Sequence, residues 1–189
     1  MIDFSNDITH CLRVLQAGGV ILYPTDTVWG LGCDATNPAA VAKIFSIKQR
    51  PEAKSLIVLL ADERDVLQYV AAPDPQVFDY LVSVHKPTTI VYDNVIGLAD
   101  NLLAADGSAG IRIVKDTFCR HLIRRFRKPL VSTSANISGE PTAASFSSIA
   151  PTIKSAVDYV VEYRQDDETP ATPSAVIKWN RGNLEIIRP

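Results

Sequence analysis

Two hydrophobic rhythms alternate along the chain. Ile8, Cys11, Leu12 and Leu15 recur at helical spacing, which predicts a helix over residues 6–17 that Gly18 and Gly19 stop. "VILYPT" (residues 20–25) reads as a short strand ended by Pro24. A second helix is predicted over 38–48, with Asn37 as its cap and Pro38 in its first turn. "SLIVLLA" (55–61) is a continuous apolar run, the pattern of a strand buried on both faces. Residues 62–70 and 75–84 read as helices, 88–92 as a strand and 94–108 as irregular chain. Residues 110–114 read as a strand, 116–127 as a basic helix and 129–134 as another strand. Three more strands are expected near 158–161, 174–178 and 184–187, and the polar, proline-bearing stretch 163–173 reads as a mobile loop. This alternation predicts an α/β fold, one domain over 1–189 with helices flanking a twisted mixed sheet.

Composition narrows the class. The chain has 189 residues, 47% of them apolar, enough to fill a core. A net charge of -2 excludes a protein that is cationic throughout and leaves room for a local basic patch. Cys11, Cys33 and Cys119 are odd in number and widely spaced. They form no zinc pattern with the histidines and read as small buried hydrophobes in a reducing compartment. The opening "MIDFSNDITHCL" lacks the apolar centre of a signal peptide, and no apolar run approaches the ~18 residues of a membrane helix. A cytoplasmic location is expected.

Three stretches carry candidate chemistry. "IFSIKQRPEAKSLIVLL" gathers Lys48, Arg50 and Lys54 ahead of a buried strand. Lys48 suits the C-terminal end of a helix, whereas Pro51 pushes Arg50 out of the helical path. Such a cluster suits a polyphosphate, with lysine as a point charge and arginine as a fork; solvated surface charge is the alternative. "YPTDTVWGLGCD" sets Thr25 and Thr27 around Asp26 at the end of a strand, where an open α/β sheet binds ligands. An ordinary turn is the alternative there, and Trp29 reads as a core aromatic rather than a crevice wall. "LVSTSANISGEPTA" runs a strand into Ser132, Thr133, Ser134, Asn136 and Ser138, whose hydroxyl and amide groups could bond phosphate or sugar oxygens, or only their own backbone. No Walker A motif, serine elbow or HExxH pattern is present.

"YPTDTVWGLGCDA", "KQRPEAKSL", "IRI" and "PLVSTSANISGEPT" occur in this order, and together they resemble the YrdC family of threonylcarbamoyl-AMP synthases. The resemblance runs from about Val20 to Pro189. It implies an α/β fold with a concave, positively lined cleft. It also implies a nucleotidyltransferase that makes threonylcarbamoyl-AMP and pyrophosphate from L-threonine, bicarbonate and ATP, with Mg2+ beside the phosphates. The product would serve modification of tRNA position 37 with partner proteins, and direct contact with tRNA or double-stranded RNA is a further expectation. By motif position, Lys48 and Arg50 would grip the ATP phosphates as the catalytic pair. Ser134, Asn136, Ser174 and Arg188 would hold the nucleotide, and Thr25, Thr27, Lys54 and Arg112 the threonine. No metal ligand is assigned. "VHKPTT" (84–89) departs from the family's Trp-Pro-Gly-Pro-Leu-Thr and leaves substrate choice open; a relative with another substrate and an RNA-binding module are the competing readings. The RNA reading rests on Arg120, Arg124, Arg127 and Lys128, which share one face of the predicted basic helix.

Overall fold

A computed structural model describes residues 4–50, 56–180 and 183–189. Its centre is a nine-stranded sheet. In chain order the strands are β1 (Ile21–Tyr23), β2 (Gly30–Gly32), β3 (Ile57–Leu60), β4 (Thr88–Tyr92), β5 (Ala109–Ile113), β6 (Leu130–Ser134), β7 (Tyr159–Val160), β8 (Ala175–Asn180) and β9 (Asn183–Arg188). Across the sheet they lie in the order β7-β1-β2-β6-β3-β5-β4-β8-β9. β1 with β7, β3 with β5 and β4 with β8 are parallel pairs and the others antiparallel, so the sheet is mixed.

The helices are α1 (Ser5–Gln16), α2 (Pro38–Ile47), α3 (Val66–Tyr69), α4 (Gln76–Ser83), α5 (Thr117–Phe126) and α6 (Pro151–Ala156). Asn37 caps α2 by accepting from the backbone N–H groups of Ala39 and Ala40. The helix predicted over 62–70 is a 3-10 turn at Glu63–Asp65 followed by the single turn of α3. β2 was not foreseen, because "GLG" reads as a turn. Glycine is needed there for contact rather than for bending. A Cβ on Gly32 would lie 2.5 Å from the Tyr23 ring, and one on Gly30 would lie 3.1 Å from Ser132 Oγ. α6 escaped notice because six residues carry little periodicity.

The sheet's alternation separates core from crevice. Val58, Ile111, Ile90 and Ile177 are paired neighbours on one face, and all are buried. The opposite face carries the row Arg112, Thr89, Val176 and Arg188 across β5, β4, β8 and β9. The three cysteines are buried, as is Trp29, which packs against Phe146 with ring centroids 4.8 Å apart. Burial pushes each thiol pKa upward, consistent with a packing role. No helix among the described residues is long and apolar enough to cross a membrane.

Candidate functional site

The crevice face opens into a cleft of about 270 Å³. Arg50, Arg112 and Arg188 line it with Ser134, Ser174 and Thr27, and its described lining holds no carboxylate. Chain geometry explains how each cation arrives. α2 ends with the backbone N–H of Gln49 on Ser46 O and that of Arg50 on Phe45 O, with Gln49 at φ 48°. This is the Schellman pattern, with glutamine in the left-handed position that glycine usually takes. The reversal separates two neighbouring cations. Arg50 lines the cleft, whereas the Lys48 side chain is 1% exposed and enters the body of the protein.

Lys48 Nζ donates to the carbonyl of Ser134 at 2.5 Å and to that of Asn136 at 2.7 Å. The Ser138 N–H in turn donates to Lys48 O at 2.8 Å. Lys48 is therefore a strut between the end of α2 and the loop after β6, and it is not among the cleft's lining residues. Burial, with Arg50 nearby, lowers its pKa to about 8. Asn136 also turns inward. Its Nδ2 donates to Ile137 O and Glu140 O at 3.1 and 2.7 Å, closing its own loop. Of the Ser134–Asn136 pair, only Ser134 lines the cleft.

Arg188 reaches the cleft through an irregularity. Val176 pairs with Arg188 and Ile177 with Ile186, which leaves Ile187 as an extra residue in β9. A β-bulge of this kind re-aims the residue beyond it. Arg188 Nε and Nη2 donate to Ser174 O at 3.0 and 2.8 Å, and the Ser174 and Thr89 hydroxyls are 2.9 Å apart. Burial and the nearby Arg112 lower the Arg188 pKa, and burial lowers that of Arg50. An anion in the cleft would relieve both.

Arg112 forms the floor and is 3% exposed. Its Nη1 donates to Thr27 Oγ1 at 3.1 Å, its Nη2 lies 3.1 Å from Asp26 Oδ1, and its Nε has no hydrogen-bond partner among the described residues. Asp26 Oδ2 accepts from the Lys115 N–H at 3.1 Å. Thr25 is buried behind Thr27 and lies outside the cleft lining. Lys54 falls outside the described residues. Thr89, Thr142 and Gly110 line the cleft without standing out in the sequence, and Ser132 and Thr133 of the serine-rich motif line it as well. Strand register would have placed Thr89, which shares a rung with Arg112, but a single chain does not reveal its register. A Cβ on Gly110 would meet Thr89 Cγ2 at 3.0 Å, so glycine keeps the floor open.

The basic face of α5 is built differently. Arg124 grips Asp62 with Nε and Nη2 at 3.0 and 2.8 Å, and Arg120 reaches the same carboxylate at 3.0 Å. Lys128 lies 2.6 Å from Asp34. Three of the four cations proposed for RNA are thus already paired. The polar segment over 163–173 is also tied down, through Arg164 to Asp116 at 3.2 Å and through Glu168 to Ser147 at 2.9 Å.

Comparison with known proteins bears out the resemblance. The family pattern for Sua5, YciO and YrdC, described as telomere recombination, matches residues 13–189. A protein named threonylcarbamoyl-AMP synthase from Idiomarina loihiensis is 33% identical over 90% of this chain and 91% of its own. Another of that name from Xanthomonas euvesicatoria is 34% identical over 82% and 85%. Among solved structures, P. abyssi Sua5 complexed with L-threonine superposes with a TM-score of 0.88 at 22% identity. All of this chain is covered, but it spans only 55% of that protein, so the likeness concerns the fold. The chain belongs to the Sua5/YciO/YrdC family.

Proposed function

We propose that this chain is a threonylcarbamoyl-AMP synthase, joining L-threonine, bicarbonate and ATP with release of pyrophosphate. The curated relatives' name supports the reaction. The observation that carries the reading is Arg112, a buried guanidinium on the floor of a cleft whose other described polar side chains are hydroxyls and two more arginines. Its open Nε suits the carboxylate of an amino acid.

The chemistry needs position and charge neutralisation more than a general base. The threonine amine and bicarbonate give a carbamate with loss of water, a carbamate oxygen attacks the α-phosphorus in line, and pyrophosphate leaves. Arg50 and Arg188 neutralise charge on the triphosphate while Ser134 hydrogen-bonds the nucleotide. Lys48 supports that arrangement by holding the Ser134–Asn136 backbone. No cluster of three metal-ligating side chains occurs among the described residues, and the cleft's donor set does not fit a resident divalent cation. Magnesium would enter with ATP, and no step is assigned to it. Transfer of the threonylcarbamoyl group to tRNA position 37 belongs to a partner protein.

The test is pyrophosphate release from ATP with and without L-threonine and bicarbonate, followed by mass analysis of the nucleotide product. Release that needs both co-substrates and yields threonylcarbamoyl-AMP is the expected result. Release independent of threonine, or equal with serine and a different adenylate as product, would overturn the assignment.

A further inference from the structure

The hydroxyls of Thr25 and Thr27 are 3.0 Å apart, and either could donate on distance alone. Their neighbours remove the ambiguity. Thr25 Oγ1 lies 2.8 Å from Val28 O, an atom that only accepts, so the Thr25 proton is committed there. Thr25 Oγ1 also accepts from the Thr27 N–H at 3.0 Å. It can then meet the Thr27 hydroxyl only as an acceptor, and the Thr27 proton is committed to Thr25. Arg112 Nη1 fills one lone pair of Thr27 Oγ1. The order is fixed: Arg112 N–H to Thr27, Thr27 O–H to Thr25, Thr25 O–H to the Val28 carbonyl.

Thr27 lines the cleft, and what remains on its Oγ1 is one lone pair, a pure acceptor beside Arg112. We infer that Thr25, which does not line the cleft, is a positioning residue: it holds Thr27 so that the site reads the substrate's amino group through an N–H, next to the carboxylate on Arg112. This inference rests on the amino-acid substrate proposed above. It explains why a buried threonine (2% exposed) stands where a valine of the same shape would otherwise fill the space. Without the acceptor at Thr25, the Thr27 hydroxyl is free to turn its proton toward the cleft and meet the amine donor to donor.

The experiment compares binding of L-threonine with that of 3-hydroxybutyrate, the same molecule without the amine, by calorimetry on wild type, Thr25→Val, Thr25→Ser and Thr27→Val. Wild type should prefer threonine, and Thr25→Val should cut that preference by about 10–100-fold, the worth of one hydrogen bond to a charged group. Binding of 3-hydroxybutyrate should stay within about threefold of wild type, because Arg112 remains. Thr25→Ser keeps the relay and should restore the preference. Thr27→Val removes the acceptor and leaves the Thr25–Val28 bond intact, so it should match Thr25→Val; it also decides the matter if Thr25→Val does not fold. A general loss of packing would weaken both ligands equally, and that result in either valine variant overturns the inference. Absence of threonine binding to wild type would instead sink the substrate assignment itself.

Discussion

The face of α5 and the floor of the cleft are both rich in arginine, and they differ in what stands opposite. On α5, Arg120 and Arg124 share the carboxylate of Asp62, and just past its end Lys128 meets Asp34. In the cleft, Arg50, Arg112 and Arg188 converge on a hollow whose described lining has no acid. Asp26 touches Arg112 from the side and leaves its Nε open. A run of cations is therefore a poor guide to a binding site until its counter-charges are located. Exposed, paired cations give little to an incoming anion, because each new contact displaces an existing one. In the cleft the Arg112 guanidinium is buried and those of Arg50 and Arg188 are partly desolvated, a cost that an anionic ligand relieves.

The sharpest way to break this contrast is Arg112→Ala. It strands Asp26 and empties the carboxylate seat, so kcat/KM for the amino acid should fall by about 4 kcal/mol, roughly a thousandfold. Threonine-dependent pyrophosphate release measures it, and near-wild-type turnover would mean that the cleft floor is not the substrate seat. Arg50→Ala comes next, with an expected loss of about 2–4 kcal/mol in the transition state, by analogy with lost oxyanion donors. Its effect should appear with ATP as the varied substrate, and wild-type turnover would remove Arg50 from the chemistry. The smallest effect belongs to Arg120→Ala combined with Arg124→Ala. Turnover should stay within about twofold of wild type, since those side chains are spent on Asp62. If that double variant lost tRNA retention in a salt-dependent gel-shift series while wild type kept it, α5 would be an RNA surface after all and the contrast would fail.

Much of the architecture lies in local rules. The spacing of Ile8, Cys11 and Leu15, the Asn37 cap with Pro38 behind it, and the apolar run before Ala61 each act over a few residues, and α1, α2 and β3 form where those rules point. The separation of Lys48 from Arg50 was half legible: Pro51 signalled a departure from the helix, but not that Lys48 would turn inward to two carbonyls more than eighty residues away. The glycine strand β2 was hidden because its reason is the approach of Tyr23 and Ser132, not a turn.

Folding brings Arg50, Arg112, Ser134, Ser174 and Arg188 from separate motifs to one cleft. Sequence alone determined that Arg50, Ser134, Ser174 and Arg188 would sit at strand or helix ends and Arg112 within a strand, because periodicity is a property of neighbouring residues. Only the tertiary structure decided that Asp62 would occupy α5, that a bulge at Ile187 would turn Arg188 into the cleft, and that two threonines would be wired to Arg112. Those outcomes depend on strand register and on contacts between distant segments. Hydrogen-bond direction and charge pairing act over about 3 Å of space, whatever the distance along the chain.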